Sequence, residues 1–71
     1  MNQVHPNKLA LSKWTARQPL NREKHFLVTK IMRDEQGRIT DCQLEAVISK
    51  KIYHIDWHQL KDSESWQQGW H

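Results

Sequence analysis

Apolar and polar positions alternate most cleanly in the middle of the chain. His25 to Arg33 is rich in β-formers (Phe26, Val28, Thr29, Ile31), and within Arg38 to Ser49 the residues Cys42, Leu44, Ala46 and Ile48 alternate with Gln43, Glu45, Val47 and Ser49. A period of two puts one set on a buried face and the other toward solvent. Between the runs, Asp34-Glu35-Gln36-Gly37 supplies a turn with glycine where positive φ is needed, so the segment predicts a β-hairpin. Ile39 is out of phase with Cys42 and its successors, which predicts a bulge near Thr40 and Asp41 that curls the sheet.

The flanks are less regular. Leu9 to Ala16 is short enough for a strand, although its apolar positions do not alternate strictly and a helical turn fits as well. Arg17 to Lys24 contains Pro19, Asn21 and dense charge; it reads as a loop longer than a tight hairpin and as a place for binding residues. After Ser49-Lys50-Lys51, a further strand from Ile52 sets Tyr53, Ile55 and Trp57 on one face and His54, Asp56 and His58 on the other. Asp62 or Ser63 is placed to cap a short helical turn through Gln68 that ends at Gly69, with Trp66 and Trp70 four apart.

Residues 1–7 are polar, contain Pro6 and lack periodicity, as expected of a flexible arm, leaving 8–71 as one small β-rich domain. The pattern predicts a mainly β fold: a curved antiparallel meander of about four strands, an SH3-like or Sm-like partial barrel, with a short C-terminal helical turn.

Composition sharpens this picture. The chain has 71 residues, 37% of them hydrophobic, so its four tryptophans must supply much of any core. Trp57, alternating with Tyr53 and Ile55, has the strongest claim to burial. Trp66 and Trp70 fall where a C-terminal turn is pinned to a sheet. Trp14, flanked by Lys13 and Arg17, is expected to be buried on composition, yet its neighbours also suit stacking on a base.

Charge is unevenly distributed. Residues 1–33 carry seven basic side chains (Lys8, Lys13, Arg17, Arg22, Lys24, Lys30, Arg33) against Glu23 alone, whereas residues 34–71 carry four basic against seven acidic ones. A cationic front half of this kind can hold a polyanion if the fold gathers it on one surface. The single cysteine, Cys42, rules out an internal disulfide, fits a reducing cytoplasm and falls on the apolar face as an inert thiol. No stretch approaches the ~18 apolar residues of a membrane span. With Gly37 and Gly69 the only glycines, there is no phosphate-cradling loop, and no nucleophile motif or paired-carboxylate site stands out; no enzyme activity or cofactor is expected.

Several segments carry a family resemblance. Lys8-Leu9, Leu11-Ser12-Lys13-Trp14-Thr15-Ala16, Asn21-Arg22-Glu23-Lys24-His25-Phe26-Leu27-Val28, Leu44-Glu45-Ala46-Val47, Ile55-Asp56-Trp57 and Trp66-Gln67-Gln68-Gly69-Trp70 occur in this order across nearly the whole chain. Together they resemble a family of small tryptophan-rich bacterial proteins of unknown function. The resemblance implies a bacterial, stand-alone, single-domain protein and supplies no mechanism.

Two readings of function follow. In the first, Lys13, Arg17, Arg22, Lys24, Lys30 and Arg33 contact the phosphates of RNA or another single strand while Trp14 stacks, with Phe26 or His25 as further stacking residues. In the second, Trp66 and Trp70 dock on a protein partner. His54, Asp56 and His58 share one strand parity and form a weak metal-site candidate; a solvated polar face has the same pattern.

Overall fold

The alternating central segment forms the hairpin its pattern predicts. A computed structural model, describing residues 1–71, contains five strands: β1 (Lys13–Leu20), β2 (Glu23–Arg33), β3 (Ile39–Ala46), β4 (Ile52–Ile55) and β5 (Trp66–Gln68). Two 3₁₀ turns, Pro6–Lys8 and Trp57–Lys61, are the only helical pieces. At the β2–β3 turn the Asp34 carboxylate accepts from the backbone N–H of Gln36 and Arg38, and Gly37 takes φ +82°. Met32 pairs with Asp41 and Arg33 with Ile39, leaving Thr40 as the extra residue of a bulge. A second bulge at Thr29 keeps Ile31 in register with Cys42.

All five strands are antiparallel neighbours in one open sheet of order β4-β3-β2-β1-β5. The first four make the expected meander. The fifth is a correction: the segment after Asp62 is not a helical turn through Gln68. Asp62 does cap one turn, accepting from the Glu64 N–H and the Ser65 hydroxyl, but Trp66–Gln68 then pairs with β1 (Ala16 opposite Trp66, Trp14 opposite Gln68). A free strand edge on β1 outcompetes helix formation, because three residues in a ladder satisfy donors that a single short turn leaves open. Since β5 joins β1 and not β4, the sheet does not close. Its shortest dimension, 15 Å, fits one sheet with a thin cover.

The β1–β2 connection is the second correction. The expected long loop is a two-residue turn, with Asn21 (φ 56°) and Arg22 (φ 64°) both left-handed, as a type I′ hairpin requires. Proline and charge masked it because β1 is itself irregular. Thr15 pairs with His25 and Leu20 with Glu23, so Ala16 to Pro19 face Lys24 alone. Pro19, which has no N–H to give a ladder, sits within that bulge.

Register divides the side chains between two faces. On one, Trp14, Phe26 and Ala46 form a row, followed by Val28, Leu44 and Tyr53, then Ile31, Cys42 and Ile55. This face is covered by Leu9, Leu60 and the partly buried Val4 and Trp57. The 1–7 segment lies along the cover: the Asn2 amide donates to the carbonyls of Leu60 and Trp66, and Gln68 donates to the Gln3 carbonyl. On the other face stand Lys13, Leu27, Glu45 and Ile52, then Thr15, His25 and Gln67, then Lys30, Gln43 and His54, with no second layer over them beyond the chain end, which buries Thr15.

Candidate functional site

Trp14 is the core tryptophan, only 2% exposed, and its indole N–H donates to the Ser12 hydroxyl at 2.8 Å. A ring so enclosed cannot stack on a base while the domain is folded, which corrects its assignment as a stacking residue. Phe26 is equally unavailable, being buried on the same face. Trp57, expected to be the firmest core residue, is half-buried beyond the end of β4, against His58 (4.1 Å between ring centroids) and under the Lys61 ammonium (5.1 Å).

The open face carries a different aromatic. The left-handed Gly69 (φ +82°) breaks the alternation of β5 and throws Trp70 onto the uncovered side, 43% exposed. There it lies 6.1 Å from the His25 ring and under the Lys13 ammonium, 4.7 Å from its centroid, and its N–H donates to the Phe26 carbonyl at 2.9 Å. Beside it, Thr15, Arg17, Lys24, Gln67 and His71 line a shallow groove of about 360 Å³. Thr15 anchors the chain end, donating to the Gly69 carbonyl and accepting from the His71 N–H. Trp66, by contrast, stays on the covered side, edge-on to Phe26 at 5.2 Å. The two C-terminal tryptophans therefore do not form one docking surface.

The cationic candidates separate by place. Lys13, Arg17, Lys24 and Lys30 belong to the open face around β1 and β2. Arg22 is at the tip of the β1–β2 turn, and Arg33 is drawn to the far end of the sheet, its guanidinium donating to the carbonyls of Gly37 and Pro6. No lysine or arginine has a carboxylate within ion-pair distance; the only pairs are His54–Asp41 at 2.8 Å and His58–Asp56 at 2.7 Å. The sequence asymmetry thus becomes a spatial one, since β1 and β2 are neighbours while Asp41 and Glu45 lie on β3.

A family comparison agrees with the tryptophan pattern. One family's sequence profile, described as "Tryptophan-rich protein (DUF2389)", matches residues 12–71, a span holding all four tryptophans. The chain belongs to that family. No curated protein and no solved structure matches it. The family's span begins after Leu9, although Leu9 is a core residue here. No helix is long and apolar enough to cross a membrane.

The proposed metal face is not assembled. β4 ends at Ile55, so Asp56 and His58 leave the strand parity, and Asp56 instead caps the Trp57–Lys61 turn. Hydrogen bonds from the His58 backbone and then its ring hold the Asp56 carboxyl below its usual range, while His54 is engaged by Asp41. No three metal-binding side chains converge anywhere. Cys42 is buried as expected; desolvation, with the Asp41 charge second, pushes its thiol up to about 11.

Sequence reasoning missed one constellation. Glu23, 4% exposed at the start of β2, accepts hydrogen bonds from the hydroxyls of Ser49 and Tyr53. These two bonds, in that order, hold its carboxyl below the ordinary range, against desolvation, and the second of them, with burial, raises the Tyr53 phenol. A lone acid in a basic segment was the available signal, but Ser49 and Tyr53 lie 26 and 30 residues away. Next to this group the cover gives out, leaving an apolar cleft of about 310 Å³ walled by Phe26, Leu44, Tyr53, Ile55 and Trp66.

Proposed function

We propose that this protein is a non-enzymatic cytoplasmic binding module for RNA or other single-stranded nucleic acid, working through the uncovered face of the sheet. One observation carries the reading: an exposed Trp70 stands on an open β-surface among Lys13, Arg17, Lys24 and Lys30, none of them neutralised by a carboxylate. Bases stack on such indoles without regard to sequence, and free ammonium and guanidinium groups replace condensed counterions along the phosphates. Lys13 caps the ring in the free protein, and an arriving base displaces it toward a phosphate.

The test is titration of a mixed-sequence oligonucleotide, followed by anisotropy over a range of salt. Four phosphate contacts give a log–log slope of roughly −3, about 0.7 per contact. Trp70→Ala weakens binding by about 1–3 kcal/mol without changing that slope, since the ring carries no charge. Replacing Arg17 and Lys24 together by Gln flattens the slope. Absence of binding at low salt, or a slope unaffected by the charge variants, overturns the proposal.

A further inference from the structure

The cleft on the opposite face has a composition of its own. Three aromatic rings and four aliphatic side chains, Ala16 and Leu20 among them, wall it, Phe26 meeting Trp66 edge-on at 5.2 Å and Tyr53 at 6.2 Å, and the only acid on its lining is Glu23. About 310 Å³ is at the small end of ligand pockets, enough for a compact molecule and too little for a folded segment.

The carboxylate supplies the specificity. Glu23 is buried yet has no cation within ion-pair distance; its two oxygens each take one hydroxyl, which leaves further acceptor positions, and Lys51 acts on it only through space. A buried anion whose only hydrogen-bond partners are hydroxyls gains most from a ligand that brings a positive charge into contact, and aromatic walls attract the same charge through their faces. An anionic or purely apolar occupant leaves that charge uncompensated.

We infer that the cleft between the β1–β2 turn and β4 is a binding site for a small organic cation, an ammonium group on an aromatic body, with the body against Trp66, Phe26 and Tyr53 and the ammonium on Glu23. The nucleic-acid surface lies on the other side of the sheet, and Ala16 alone borders both the cleft and its groove.

The experiment titrates the whole protein with phenethylamine, phenethyl alcohol and hydrocinnamate, following the indole N–H resonances of the four tryptophans by NMR. Phenethylamine moves Trp66 and leaves Trp70 in place. It binds about tenfold more tightly than the alcohol, as one charge-assisted hydrogen bond implies, and hydrocinnamate does not compete. Glu23→Gln abolishes the preference for the amine over the alcohol. Because that variant can lose stability, Ala16→Leu, which adds bulk to the cleft wall, supplies a second arm and removes amine binding from a folded protein. Equal affinity for amine and alcohol, a response at Trp70 in place of Trp66, or undiminished binding to Ala16→Leu overturns the inference. Oligonucleotide binding is unaffected by saturating amine, so failure of one site is distinguishable from failure of the other.

Discussion

Tryptophan is used here for three different purposes, and neighbouring residues decide which. Trp14 points into the core because β1 pairs in register with Phe26, and Ser12 satisfies its N–H inside. Trp14→Ala should therefore cost ~3–5 kcal/mol, most of the stability of so small a domain, and more than Trp57→Ala, whose ring is half in water; urea denaturation of the two variants checks the order. Glu23 gives the domain a pH signature. Its lowered carboxyl contributes stability above the unfolded-state value of about 4.3, and that contribution is lost as pH falls through the still lower folded value. Tyr53, raised by the same bond, contributes below its ordinary phenol range and is lost as pH rises through its folded value. Glu23→Gln should flatten both limbs of a pH–stability profile, and unchanged limbs would remove the network from the account.

Elements follow from pattern where hydrogen bonding is local. The β2–β3 hairpin was legible, bulge included, because alternation and Asp34-to-Gly37 turn chemistry agree within a few residues. The β1–β2 turn was not legible, because Asn21-Arg22 lacks the glycine usual at its second position and the flanking strand breaks alternation to accommodate Pro19. That absence has a cost. A non-glycine residue in the left-handed region is strained, so Arg22→Gly should stabilise the domain by about 1 kcal/mol, measurable as a raised urea midpoint, while leaving binding at the open face unchanged. The C-terminal segment misled for the opposite reason: its capping residue is real, but the vacant edge of β1 takes the next three residues.

The whole molecule is a single twisted sheet covered on one side only, and the cover reaches beyond the residues that define its family. Leu9 is 1% exposed, so a chain starting at Ser12 should lose ~1.5–3 kcal/mol from that side chain alone, visible as a lower denaturation midpoint than the 71-residue chain. From the sequence by itself came the β class, the central hairpin with its bulge, the buried Cys42 and the cationic front half, each written in residues near one another. Tertiary structure decided the rest. Whether Trp14 or Trp70 meets solvent depends on strand register and on one left-handed glycine; whether the cations meet on a surface depends on β1 and β2 being neighbours; and the Glu23 network and its cleft exist only because the β3–β4 hairpin lies in the sheet beside the start of β2. Local pattern fixes which residues pair with water and which avoid it, but contacts between distant segments are chosen by the free energy of the assembled sheet, and no window of sequence contains them.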